Sequence, residues 1–280
     1  MILIADSGST KTTWCVIDNG QKIKSITTKG INPFFQSEEE ISKEVAESLL
    51  PHIAAGLVSS VYFYGAGCVF DKKDLVKRAV GKHFTNAVTK VDSDIWAAIR
   101  GVCGKTPGIV CIMGTGSNSC FFDGEAIAKN VSPLGFILGD EGSGAVLGKL
   151  LVGDILKNQL PEELREKFFN EYKIDQGEII DRVYRKPFPN RFLAGFSPFL
   201  LQNIDVPAIR NIVVRSFTDF FRRNVMQYDY NAYEVNFVGS VSFHYREILK
   251  EVGDGLGIRI GQIVKQPMEG LIKYHSEIEK

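Results

Sequence analysis

The amino-acid sequence predicts an α/β protein in which one plan of strands and helices is used twice. Three observations lead there. The chain opens with three short β-rich runs joined by tight turns, then alternates helix with strand. The same order of elements restarts at Gly108. In each half the first hairpin carries a turn rich in glycine and hydroxyls: Asp6-Ser7-Gly8-Ser9-Thr10-Lys11-Thr12 in one, Gly114-Thr115-Gly116-Ser117-Asn118 in the other.

Residues 2–5 read as an apolar strand. Residues 12–18 read as a second, with Trp14, Val16 and Ile17 among the good strand formers. Asp18-Asn19-Gly20 is a turn, and residues 22–28 return as a third strand. A helix follows, capped by Ser37, with Glu38, Glu39 and Glu40 in its first turn, where the helix dipole favours acids. It runs toward Leu50 and stops near Pro51. Residues 58–64 are a fourth strand, 71–81 a helix, 87–91 a strand and 94–100 a helix.

The second half begins with a strand at 108–113, the Gly114 turn and a strand through Phe122. Asp123-Gly124 turns the chain into a third short strand. Helices dominate 141–226, opening at Gly139-Asp140-Glu141. A late strand at 235–238 leads to a helix, a strand at 258–260 and a final helix from about Met268. Gly253-Asp254-Gly255-Leu256-Gly257 reads as an ordinary loop. The repeat lies about a hundred residues downstream, and it is a repeat of element order only. No linker rich in Pro, Ser or Gly separates the halves. The expected domains are 1–107 and 108–280, packed around a central cleft, with the last helix (about 267–280) returning to the first domain.

Composition narrows the function. The 280 residues are 44% hydrophobic and 24% charged, as in ordinary globular chains. Lys plus Arg equals Asp plus Glu, 33 each, so no general attraction to nucleic acid or an anionic membrane is expected. No cationic leader precedes a long apolar region, so no signal peptide is expected. No apolar stretch approaches the roughly 20 residues that span a bilayer. Cys15, Cys68, Cys103, Cys111 and Cys120 form no C-x-x-C pair. Their odd number predicts reduced thiols in a cytoplasmic protein rather than a disulfide framework.

The two glycine turns suit phosphate. Glycine lets backbone amides approach an anion, while hydroxyls and Lys11 add donors. An acid beside such a turn, Asp6, makes sense if Mg²⁺ lies between it and the phosphates. A plain hairpin turn is the alternative for either motif alone. Neither is a P-loop or a dinucleotide fingerprint, since the spacing is wrong and each turn leads into a strand. One turn from each half would clamp a polyphosphate from two sides.

The acids between the turns are next. Asp92 and Asp94 follow the strand at 87–91, and Asp94 is either a helix N-cap or a general base for phosphoryl transfer to an alcohol. Gly135, Gly139, Gly142 and Gly144 surround Asp140 and Glu141. Adjacent acids suit a helix start, but four glycines suggest a backbone close to a ligand such as a sugar. Gly239-Ser240-Val241 follows the late strand and suits a base or ribose.

Together, 6–12, 114–117 and Gly139-Asp140-Glu141-Gly142-Ser143-Gly144 resemble the N-acetylglucosamine kinase and BadF/BadG-type ATPase family, of the superfamily of sugar kinases, Hsp70 and actin. Gly239-Ser240-Val241 and the 267–274 helix extend the resemblance over nearly the whole chain. It implies duplicated ribonuclease-H-like domains of the actin/hexokinase type. It implies a first phosphate loop of Gly8, Ser9, Thr10 and Lys11, with Asp6 reaching Mg²⁺ through water, and a second loop of Thr115 and Gly116. Ser93-Asp94-Ile95-Trp96-Ala97-Ala98 is similar to the segment that holds the catalytic base, which implies Asp94. Ser93 replaces the usual Asn there, so Asp92 stays the alternative. Asn32, Gly135, Phe136 and Asp140 match sugar-binding positions, Phe136 standing where Trp is common. Gly239 and Ser240 match the adenosine-side turn, and Ser7 replaces the commoner Gly.

The resemblance therefore implies ATP-dependent phosphorylation of an amino sugar, with N-acetylglucosamine going to its 6-phosphate. Glucosamine and N-acetylmuramic acid are alternative acceptors, and an ATPase that drives change in a partner is the alternative function. ATP and Mg²⁺ are the expected cofactors, and a homodimer the default assembly. The cysteine cluster of zinc-binding ROK kinases and the cysteine contexts of iron–sulfur activases are missing, as is a helix-turn-helix appendage.

Overall fold

The computed structural model describes residues 1–8 and 10–278. The chain forms two compact units. One is Met1–Lys105 with the segment from Gln266 onward, and the other is Thr106–Lys265.

The first unit contains β1 (Ile2–Ser7), β2 (Lys11–Asp18), β3 (Gln21–Lys29), α1 (Glu38–Glu44), β4 (Ser60–Gly65), α2 (Lys72–Gly81), β5 (Val88–Ser93) and α3 (Asp94–Val102). Its sheet has the order β3-β2-β1-β4-β5. The first three strands are antiparallel neighbours, and β4 and β5 join in parallel. Leu3, Ile4 and Ala5 are fully buried. Both faces of β1 are covered, so it reads as a continuous apolar run rather than an alternation. The edge strand β3 is instead rich in Lys and Thr, with most residues exposed.

Ser37 caps α1 through a capping box, its Oγ accepting from Glu40 N–H and its own N–H donating to the Glu40 carboxylate. The predicted helix toward Leu50 is α-helical only to Glu44. It widens into a π turn over Val45–Leu49 and ends in a 3-10 turn containing Pro51. One sheet face packs Trp14 against Phe63. On the other, the C-terminal helix Met268–Ile278 buries Met268 and Leu271 against Ile4, Cys15 and Ile17. A Cβ on Gly270 would lie 1.8 Å from Gly101 O, so α3 and this helix meet through paired glycines.

The second unit contains β6 (Gly108–Met113), β7 (Ser117–Phe122), β8 (Ile127–Val131), α4 (Gly135–Leu138), α5 (Gly144–Leu156), α6 (Glu162–Tyr172), α7 (Gln176–Tyr184), α8 (Pro189–Ala194), α9 (Ser197–Gln202), α10 (Pro207–Arg223), β9 (Val235–Val238), α11 (Ser240–His244), α12 (Arg246–Gly255) and β10 (Ile260–Val264). Its sheet order is β10-β9-β6-β7-β8. Read from its other edge, this is the order of the first sheet, with the same antiparallel meander and two parallel additions. This duplicated pattern is the α/β architecture of actin/hexokinase-type folds. The core is aromatic, with Phe168, Phe199, Phe217, Phe220, Phe221 and Phe237 fully or almost fully buried.

Three expectations are corrected. The last strand is Ile260–Val264 rather than 258–260. Gly253 and Gly255 belong to the end of α12, and only Gly257, with φ +71°, turns the chain toward β10. Asp140 and Glu141 do not open a helix, because α5 starts at Gly144 with Ser143 as its N-cap. Among the described residues, no helix is long and apolar enough to cross a membrane.

Candidate active site

The first turn joins β1 to β2, where Ser7 sits opposite Thr12. Gly8 N–H donates to Lys11 O at 3.0 Å, and Gly30 N–H donates to Thr10 O at 3.1 Å. Thr10 and Lys11 are exposed. Ser9, expected in the phosphate loop, lies outside the described residues. The hydroxyls of the motif divide into two classes. Ser7 and Thr12 are fully buried, with their oxygens 2.7 Å apart. Thr12 Oγ1 donates to Lys29 O at 3.0 Å, and Ser7 Oγ donates to Ile31 O at 3.0 Å. These two hydroxyls bond inward and are not donors for a phosphate, which leaves Thr10 and the Lys11 ammonium among the described side chains.

Asp6 and Asp94 lie at the C-terminal edge of the first sheet. β1 and β5 flank β4, with Ser7 and Ser93 both in register with Gly65. Parallel strands of α/β sheets present their ligand-binding groups at this edge. Burial first, and the Asp94 charge second, push the Asp6 carboxyl up to about 7, while Lys11 pulls the other way. Burial also raises the Asp94 carboxyl above the usual range, against the bond that its Oδ1 accepts from Ile95 N–H at 3.0 Å. Asp94 is not the cap of α3: Ser93 occupies that position, and Asp94 is the first helical residue.

Asp92 has a different environment. Its Oδ2 accepts from Arg100 Nη1 at 2.8 Å and its Oδ1 from Lys73 Nζ at 3.0 Å. Arg100 also donates to Tyr64 Oη at 2.7 Å, and Tyr64 Oη lies 2.7 Å from His275 Nε2. Asp92 thus belongs to a structural network beneath the C-terminal helix. Among the described residues, Asp94 makes no ion pair.

Asn32 lies just after β3, in a compact turn. Its Oδ1 accepts from Phe34 N–H at 3.0 Å, and its own N–H donates to Gln36 Oε1 at 2.7 Å. Gly67, with φ +79°, leaves the room for this side chain, since a Cβ there would come 2.6 Å from Asn32 Oδ1. Among the described residues, Asn32 Nδ2 donates to no protein acceptor, so its hydrogens are available to a ligand.

In the second unit, the Gly114 turn is tied to the start of α5. Gly144 N–H donates to Gly114 O at 2.8 Å and Ala145 N–H to Thr115 O at 3.0 Å. Among the described residues, the Thr115 and Gly116 amides donate to no protein acceptor. They are the amides suited to an anion. Asp140 sits against this turn: a Cβ on Gly116 would lie 3.0 Å from its Oδ2. Burial raises the Asp140 carboxyl to about 6, opposed by a hydrogen bond from Ser117 N–H and aided by Glu141. Asp140 takes a left-handed conformation, φ +53°, for which an Asp is better suited than most residues.

Glu141 went unrecognised as a structural residue. It is buried, bonded to Arg223 at 2.7 Å and to Asn224 at 3.2 Å, and its carbonyl accepts from Ser117 Oγ. Only its neighbours Gly139 and Gly142 hinted at it in the sequence. Gly135 is exposed with φ +73°, and nothing lies within 4 Å of its would-be Cβ, so backbone conformation explains the glycine. Phe136 is half-buried against the core of the second unit. Gly239 ends β9 with φ +141°, its would-be Cβ 2.2 Å from Met113 O, and Ser240 is exposed at the start of α11.

Among the described residues, no group of three or more His, Cys, Asp or Glu side chains is arranged to hold a metal ion. Nucleotide-bound Mg²⁺ needs less: one or two carboxylates, waters and the substrate phosphates. Asp6 fits that lesser role, since its charge is opposed by Asp94 and a divalent cation relieves that opposition.

The fold and the site invite comparison with known proteins. A structure of a candidate N-acetylglucosamine kinase from Porphyromonas gingivalis matches at 50% identity, covering 100% of both chains with a TM-score of 0.97. A candidate N-acetylglucosamine kinase from Chromobacterium violaceum matches at 18% identity over 98% of both chains, TM-score 0.75. A ROK-family glucokinase from Streptomyces griseus, solved with glucose and AMPPNP, matches at 16% identity over 99% of this chain and 98% of that one, TM-score 0.56. The last two show the fold alone. No family model and no curated protein matches the chain.

Proposed function

The chain belongs to the family of the candidate N-acetylglucosamine kinase from Porphyromonas gingivalis, and on that premise we propose that it transfers the γ-phosphate of ATP to an amino sugar, at the 6-hydroxyl of N-acetylglucosamine. The full-length match at 50% identity carries this reading.

Asp94 accepts the proton of the attacking hydroxyl. Its burial raises its affinity for that proton, and its freedom from ion pairs leaves it accessible to one, both of which suit a general base. Asn32 donates to a sugar oxygen through Nδ2, and Asp140 accepts from a sugar hydroxyl, with Gly135 and Phe136 beside it. Gly8, Ser9, Thr10 and Lys11 bind phosphate oxygens, as do the uncommitted amides of Thr115 and Gly116. Gly239 and Ser240 take the adenosine side. Asp6 would hold Mg²⁺ through water, and the ion would supply charge neutralisation on the phosphate oxygens. We place the protein in the cytoplasm, which suits five free thiols.

The test is ADP release coupled to a reporter, over N-acetylglucosamine, glucosamine and N-acetylmuramic acid, with the phosphosugar identified by mass spectrometry. The expected result is turnover that depends on N-acetylglucosamine. ATP hydrolysis that needs no sugar, with no phosphosugar formed, would overturn it in favour of a partner-driving ATPase.

A further inference from the structure

Ile31 is fully buried, two residues after β3 ends at Lys29 and directly before Asn32. Buried backbone amides and carbonyls need partners. Both polar groups of Ile31 find theirs on one side chain. Ile31 N–H donates to Ser7 Oγ at 2.9 Å, and Ser7 Oγ donates to Ile31 O at 3.0 Å. Ser7 is itself fully buried at the end of β1. The phosphate turn that follows Ser7 meets this hydroxyl only through Thr12 Oγ1, 2.7 Å away, and has ties of its own. It is held by Gly8 to Lys11, by Gly30 to Thr10, and by Thr12 to Lys29.

We infer that Ser7 is a positioning residue for the acceptor: its hydroxyl clamps Ile31 and so aims the Asn32 amide, while leaving ATP binding alone. The inference rests on the reading of Asn32 as a sugar contact. Removing the hydroxyl strands two buried backbone groups one residue from Asn32. The loop then relaxes to rehydrate them, and Nδ2 leaves its place. The sugar KM rises, and the ATP KM does not.

The experiment is steady-state kinetics on Ser7→Ala, Thr12→Val and Asn32→Ala, with N-acetylglucosamine and ATP varied separately, and amide hydrogen exchange over residues 29–36. Ser7→Ala should raise the KM for N-acetylglucosamine about tenfold and keep the ATP KM within about twofold. It should speed exchange at Ile31. Thr12→Val, which removes the neighbouring buried hydroxyl but not the clamp, should leave the sugar KM unmoved. The inference fails if Ser7→Ala moves both KM values together or neither, or if Thr12→Val matches it. It also fails if both Ser7→Ala and Ser7→Gly yield no folded chain. Asn32→Ala separates the two readings. If it raises the sugar KM and Ser7→Ala does not, the clamp alone is wrong. If it leaves the sugar KM unmoved, the role of Asn32 is wrong and the inference falls with it. If the wild type does not turn over N-acetylglucosamine at all, the proposed function is wrong; unchanged exchange at Ile31 in Ser7→Ala then overturns the clamp separately.

Discussion

Arg100 holds Asp92: the guanidinium Nη1 lies 2.8 Å from Asp92 Oδ2, and Lys73 takes the other oxygen at 3.0 Å. Asp94, two residues on, has no such cation among the described residues. The two acids are two residues apart in sequence and opposite in use. Two cations fix Asp92 in place, whereas desolvation raises the carboxyl of Asp94, which makes no ion pair among the described residues.

Asp94→Asn should therefore lower kcat for sugar phosphorylation by about 10²–10⁴-fold, the usual worth of a general base, with ATP binding retained. Asp92→Asn should keep kcat within a few-fold but lose about 2 kcal/mol of stability through Arg100 and Lys73. Rapid-quench turnover and chemical denaturation of the two variants read this contrast, and the reverse pattern would make Asp92 the base.

Asp6 makes folding pH-dependent. Its carboxyl titrates at about 7 in the folded chain against 3.8 for an ordinary Asp. The protonated form is favoured in the fold, so this contribution is fully present below about pH 4 and is lost as pH rises toward 7. Asp6→Asn should then raise the melting temperature of the nucleotide-free protein at pH 8, by on the order of a few degrees, and leave it nearly unchanged at pH 4. Scanning calorimetry at both pH values measures it.

Asn32→Asp should weaken sugar binding more than Asn32→Ala. One Asp oxygen can still accept from Phe34 N–H, but the other presents an acceptor where Nδ2 donated. Isothermal titration with N-acetylglucosamine distinguishes the variants, and equal affinities would argue against a donor role.

Tyr64→Phe removes the oxygen bonded to both His275 and Arg100. The loss should cost about 1–3 kcal/mol, because a hydrogen bond to each of two partly or fully buried partners is removed. Hydrogen exchange should rise along Met268–Ile278 before it rises elsewhere in the first unit, while the sugar KM stays unchanged.

The order of strands and helices was readable from local signals. Turns such as Asp18-Asn19-Gly20, the Ser37 capping box and the apolar runs at 2–5 and 108–113 depend on residues a few positions apart. The end of α1 was less legible, because its widening into a π turn is a packing outcome in which Val45 and Leu49 are buried. The start of α5 was misread for a related reason. Asp140 and Glu141 look like a helix's first turn, but Asp140 is held left-handed with its carboxyl on Ser117 N–H, and Glu141 is drawn to Arg223.

The sequence by itself determined the duplicated plan, the two glycine turns and the short set of acids from which a phosphotransfer site is drawn. Only the tertiary structure decided which of those groups remain available for chemistry. Ser7 and Thr12 are consumed by Ile31 and Lys29, and Asp92 by Arg100 and Lys73, while Asp94 stays out of any ion pair among the described residues and the Thr115 and Gly116 amides stay uncommitted. The reason is physical. A side chain's availability depends on its partners, and most of these are brought to it by sheet register and helix packing rather than by spacing along the chain.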